Sequence, residues 1–121
     1  MKKIAIIEDD YTISEMYKIR FELEGFQVYI ATNGKDGLSL IEKEQPDIIL
    51  LDLMMPDMNG DEMLQAMRKT NWGKTIPVIV LTNVSPDEAP PTLQSLDIHD
   101  YIVKANTTPH MVLEKILAAL Q

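Results

Sequence analysis

Five short apolar runs punctuate the chain: Ile4–Ile7, Val28–Ala31, Ile48–Leu51, Val78–Leu81 and Tyr101–Val103. Each has strand length and is near-continuous rather than alternating, as a parallel strand covered on both faces requires. Between them lie stretches with helical spacing. Ile13, Met16, Ile19 and Leu23 mark the first, closed by Gly25, and Leu38 with Ile41 mark the second, closed before Pro46. Met63, Leu64 and Met67 mark the third. Val112, Ile116, Leu117 and Leu120 mark the last, with Thr108 and Pro109 as its cap and first helical residue. The pattern predicts βα repeated five times, and right-handed crossovers then place helices on both faces of one parallel sheet.

The fourth helical stretch breaks the regularity. Ser85-Pro86-Asp87-Glu88 reads as a helix start, but Pro90 and Pro91 follow at once, removing backbone donors and clashing with preceding carbonyls. A short or irregular element is expected there, with the helix starting late, near Pro91, after an irregular Ser85–Pro90.

At 121 residues the chain fits one domain, 1–121, with enough length to bury a core without staples. Nineteen Asp and Glu against eleven Lys and Arg give a net charge of -8, the wrong sign for direct nucleic-acid binding. Such acidity ordinarily means a solvated surface, and only clustered acids change that reading. There is no cysteine, so thiol chemistry, disulfides and thiolate metal sites are excluded, and a metal would need oxygen ligands. The first apolar run meets Glu8-Asp9-Asp10 too soon for a signal peptide, and no run approaches the roughly 18 residues of a membrane span. A soluble, cytoplasmic chain is expected, either a stand-alone module or part of something longer.

In an open α/β sheet, ligands bind beyond the carboxyl ends of the strands. Here the runs end in Glu8-Asp9-Asp10, Asp52, Thr82-Asn83 and Lys104. Any one polar residue there is ordinarily just solvated, but Asp9 and Asp52 on neighbouring strands repel each other unless a cation intervenes. With few oxygen ligands and no EF-hand spacing, Mg²⁺ is the expected ion. A carboxylate beside Mg²⁺, with an ammonium and a hydroxyl nearby, suits phosphoryl transfer, with Asp52 as nucleophile because it follows the most central run. No glycine-rich nucleotide cradle is present.

At these residues the chain resembles the receiver domain of bacterial two-component response regulators. The likeness rests on Glu8-Asp9, on Leu51-Asp52-Leu53-Met54-Met55-Pro56-Asp57-Met58-Asn59-Gly60, on Thr82 and on Lys104, and it spans essentially the whole chain. It implies a doubly wound, flavodoxin-like or CheY-like α/β fold. It also implies a phosphoryl-accepting switch that takes its phosphoryl group onto Asp52 from a histidine kinase or histidine phosphotransfer protein. Asp9, Asp52 and the Met54 carbonyl would hold Mg²⁺, with Glu8 acting through water. Lys104 and Thr82 would contact the phosphoryl oxygens, and Tyr101 would turn inward as the switch is thrown, biasing a pre-existing equilibrium. The state would be a monomer or a phosphorylation-dependent dimer. Asp10 is expected to begin the first helix rather than bind metal.

Several residues depart from the family pattern. Lys104 is followed by Ala105 rather than proline. A cis bond there would cost about 3 kcal/mol, against about 0.5–1 before proline, so a trans bond is expected. Asp97-Ile98-His99-Asp100 precedes Tyr101 in place of a glycine-containing turn, and Asp97 tolerates a left-handed conformation. Met54 and Val84 are apolar at positions that tune aspartyl-phosphate lifetime, which predicts slow self-hydrolysis. His99 and His110 are expected at the surface, and the eight methionines, exposed-looking Met55 and Met58 among them, are expected to be mostly core filler with some adaptable surface. Two other classes remain open: a phosphorylation-independent binding module, and an aspartyl-phosphate hydrolase, which would need a second carboxylate where Met54 stands.

Overall fold

The computed structural model describes residues 1–121. Its strands are β1 (Lys3–Ile7), β2 (Gln27–Ala31), β3 (Ile48–Leu51), β4 (Val78–Thr82) and β5 (Asp100–Val103), and its helices are α1 (Tyr11–Leu23), α2 (Gly34–Glu44), α3 (Gly60–Arg68) and α4 (Pro109–Ala119). All strand pairs are parallel, in the order β2-β1-β3-β4-β5. Reversal of strand order at β1 and β3 opens a crevice at their carboxyl ends.

Alternate strand residues feed two cores. Ile4, Ile6, Ile48, Leu50, Ile79 and Leu81 pack beneath α1 and α4, whereas Ala5, Ile7, Ile49, Leu51, Val78 and Val80 pack beneath α2 and α3. The five expected runs all become strands, and burial on both faces explains why they do not alternate.

Local chemistry sets the helix ends. The Asp10 side chain caps α1 by accepting from the Ile13 N–H at 3.2 Å, Asn33 caps α2 from the Asp36 N–H at 2.8 Å, and Thr108 caps α4 ahead of Pro109. At the start of α3 the Glu62 side chain accepts from the Asn59 N–H.

The buried face of α1 is not the expected one. Ser14, Tyr17 and Phe21 turn inward, while Met16, Ile19 and Leu23 are exposed, Leu23 by 75%. The helix is apolar on two opposite faces, and a 3.6-residue period fits both; the aromatic pair wins because it fills the space over β1 and β2. In α4, Leu113 is buried and Leu117 is exposed. Met55, exposed-looking in the sequence, is buried and Met58 is half-buried, because the loop after β3 folds back over α2 and the Gly34 N–H donates to the Met58 carbonyl.

Between β4 and β5 there is no α-helix. Two 3-10 turns, Pro86–Glu88 and Pro91–Ser95, take its place, the second starting at the proline where a late helix was expected. Every peptide bond is trans, including Lys104-Ala105, and Asp97 adopts φ 55°. No helix is long and apolar enough to cross a membrane.

Candidate functional site

The strand register assembles the polar strand ends. Ile7 pairs with Leu51, so the residues that follow, Glu8 and Asp52, emerge side by side, and the Asp52 N–H donates to the Ile7 carbonyl at 2.9 Å. Carboxylate oxygens of Glu8, Asp9 and Asp52 all lie within 4.8 Å of one another. Glu8 and Asp52 are buried, at 4% and 6% exposure, and Asp9 is exposed. Lys104, at the end of β5, reaches over: its Nζ forms an ion pair with Glu8 and lies 3.3 Å from Asp52 Oδ2.

The electrostatics follow from this crowding. Burial pushes the Glu8 carboxyl up to about 7, with repulsion from Asp52 adding to the rise and bonds from Lys104 and the Asp10 N–H opposing it. For Lys104, burial acts against the charged form, but hydrogen bonding to Glu8 and attraction to Asp52 outweigh it and lift the ammonium above its ordinary value.

Gly60 fixes the height of Asp52. Its N–H donates to the Leu53 carbonyl at 3.0 Å, and any Cβ at this position would collide with the Asp52 carbonyl. Glycine therefore permits the close approach of the α3 start to the acid-bearing turn.

Thr82 ends β4 fully buried, and its Oγ1 accepts from the Val84 N–H at 3.4 Å. The Tyr101 hydroxyl donates to the Val84 carbonyl at 2.7 Å. Burial pushes the Tyr101 phenol up, and Asp52 contributes in the same direction. Thus the structure brings Glu8, Asp9, Asp52 and Lys104 into one cluster, with Thr82 and Tyr101 joined through the main chain of Val84. That link was invisible in the sequence, because it uses backbone atoms of a residue whose side chain is apolar. Tyr17 was also missed: it is buried on α1, its ring tilted against that of Phe21 and facing a small void it shares with Glu8 and Asp52. The side chain of Met54 is 62% exposed, and its N–H donates to Asp52 Oδ1 at 3.4 Å. His99 and His110 are exposed; His110 sits beside Glu114 and Arg20 on the helical surface.

The family model for the response regulator receiver domain matches residues 4–116. The chain belongs to the receiver family. Its similarity to solved structures covers nearly the whole length. A CheY-like receiver domain protein from Methanospirillum hungatei JF-1 is 33% identical with a TM-score of 0.88, over 99% of this chain and 94% of that one. Vibrio cholerae chemotaxis protein CheY4 is 26% identical with a TM-score of 0.87, over 98% of each chain. The beryllofluoride-activated N-terminal receiver domain of Klebsiella pneumoniae RstA is 25% identical with a TM-score of 0.87, over 99% of each. Receiver domains are phosphoacceptor signalling domains, mostly without enzymatic turnover. As a family they bind Mg²⁺ in an acidic pocket and interact with histidine kinases or phosphotransfer proteins.

Proposed function

We propose that residues 1–121 form one receiver domain in which Asp52 accepts a phosphoryl group from a phosphohistidine on a kinase or phosphotransfer protein, in a Mg²⁺-dependent reaction. The convergence of Glu8, Asp9 and Asp52 within 4.8 Å, with Lys104 3.3 Å from Asp52, carries this reading.

Two buried carboxylates and one exposed one, all hard oxygen donors at one mouth, fit a small divalent cation. Asp9, Asp52 and the Met54 carbonyl would hold it, with Glu8 bonding through water. When bound, Mg²⁺ neutralises charge on the phosphoryl oxygens. An Asp52 oxygen attacks phosphorus in line with the departing imidazole nitrogen; the O–P bond forms as the N–P bond breaks, and the imidazole leaves with a proton from solvent. Lys104, held by two carboxylates, then pairs with the phosphoryl oxygens. Thr82 exchanges the Val84 N–H for a phosphoryl oxygen, which loosens the chain that holds Tyr101 and permits its inward turn. With Met54 and Val84 apolar, no side chain at those positions orients an attacking water, so the phosphoryl group persists.

The test is incubation with Mg²⁺ and acetyl phosphate, followed by intact mass and peptide mapping after borohydride trapping. One phosphoryl group on Asp52, absent in Asp52→Asn and in excess chelator, is expected. Labelling elsewhere, or none, would sink the reading, and catalytic release of phosphate with turnover would favour the hydrolase class instead. That class is disfavoured because a thioether, not a carboxylate, stands at position 54.

A further inference from the structure

Tyr17 is a buried titratable side chain beside the acid cluster that the proposed chemistry does not use. It lies on the inner face of α1, its ring centroid 5.6 Å from that of Phe21. Packing alone does not account for a tyrosine here. Phenylalanine would fill the same ring volume, whereas a buried hydroxyl must be desolvated and ordinarily finds a partner. The Tyr17 hydroxyl bonds to no protein group, yet no polar side-chain atom is both sealed away and without a partner, so this hydroxyl borders space that a water can reach.

That space is a void of about 10 Å³ on the core side of the acid cluster. Ile6, Ile13, Leu50 and Leu81 wall it with aliphatic carbon, and its only polar side chains are Glu8, Asp52 and Tyr17. A void of about this size holds one ordered water when roughly two to four polar groups surround it. Two carboxylates and a phenol meet that condition. Their electrostatics agree: burial pushes the Tyr17 phenol up, the Lys104 ammonium opposes the rise and Glu8 adds to it.

The other sides of the two carboxylates are already held. Glu8 accepts from the Asp10 N–H and pairs with Lys104, while Asp52 accepts from the Met54 N–H and from Lys104. Toward the void the aliphatic walls offer nothing, which leaves Tyr17 as the one side-chain donor there.

We propose that Tyr17 is a positioning residue for the phosphoryl-accepting site, its hydroxyl bridging Glu8 and Asp52 from the core side through one sequestered water. The donor count closes: the phenol donates to the water, and the water donates one hydrogen to each carboxylate, which can only accept when ionised. Held from behind, the carboxylates keep their remaining lone pairs toward the mouth, where the cation and the phosphorus arrive, and that orientation raises the rate of attack. The proposal rests on the reading of Asp52 as the acceptor.

Tyr17→Phe keeps the ring and removes only the hydroxyl, so a packing role predicts no change in transfer. With saturating Mg²⁺ and a fixed concentration of acetyl phosphate, the initial rate of Asp52 phosphorylation, followed by intact mass, is expected to fall at least fivefold in this variant. Tyr17→Leu, which removes the ring as well, should slow transfer by a similar factor and also lower the melting temperature. In the unsubstituted chain the Tyr17 hydroxyl proton should exchange slowly and give a proton NMR cross-peak to bound water. An unchanged rate in Tyr17→Phe, a loss confined to Tyr17→Leu, or a hydroxyl proton exchanging at the bulk rate would overturn the proposal, the last without recourse to any variant. If the unsubstituted chain takes up no phosphoryl group, the reading of Asp52 itself fails; uptake that is equal in Tyr17→Phe defeats only the role of Tyr17.

Discussion

At the residue scale, the site is a balance of charges in a confined space. Glu8 carries the clearest pH signature: its folded value is raised from 4.5 to about 7 by burial. The neutral form favours the folded state, so this contribution to stability is fully present below about 4.5 and is lost as pH rises through about 7. In chelator, Glu8→Gln removes that dependence. The stability gap in favour of the variant should therefore widen between those values and then level off, by a few kcal/mol at most; a flat gap in urea titrations would refute it. Lys104→Met should leave two buried carboxylates facing each other, moving Glu8 further up and cutting beryllofluoride affinity at least tenfold, measured by the fluoride titration of a bound fluorine resonance. Gly60→Ala places a methyl group against the Asp52 carbonyl, and we expect a loss of about 2–4 kcal/mol together with impaired Mg²⁺ binding. The polar strand ends were legible in the sequence because a strand-end position is fixed by the apolar run before it. Val84 was not, since its part is played by main-chain atoms, nor was Tyr17, which sits on a helix face that period alone did not select.

At the element scale, the connection between β4 and β5 is the chain's main individuality. Prolines at 90 and 91 forbid a regular helix through the segment, and that much followed from the sequence. What replaces the lost helical packing did not: Arg68 spans from α3 to the loop before β4 and to the turn before β5, bonding the carbonyls of Gly73, Lys74, Ile76, Leu96 and Asp97. Its burial disfavours the charge, and Asp97 opposes that effect. Arg68→Met leaves those carbonyls without their donor and should cost about 2–4 kcal/mol. Amide exchange should rise at Leu96 and His99 while the β1 and β3 amides keep their protection; uniform loss across the sheet would show a global effect instead.

At the scale of the whole molecule, the acid cluster sets a conflict between stability and readiness. Anything that binds the folded state alone adds stability by mass action, about 2.7 kcal/mol at a hundredfold excess over its dissociation constant. With Mg²⁺ in that excess near neutral pH, the melting temperature should rise by roughly 5–15 °C, and Asp9→Asn should abolish most of the rise; an unchanged response in that variant would remove Asp9 from the metal site. By itself the sequence determined the five-stranded parallel sheet and the set of polar strand ends, because a strand buried on both faces must be continuously apolar and must stop where water begins. Only the tertiary structure decided which face of α1 is buried, that Met55 tucks inward, that Val84 ties Thr82 to Tyr101, and that Arg68 ties the loop before β4 to the turn before β5. Those outcomes depend on which surfaces meet once the elements pack, and a one-dimensional period carries no information about the partner across the gap.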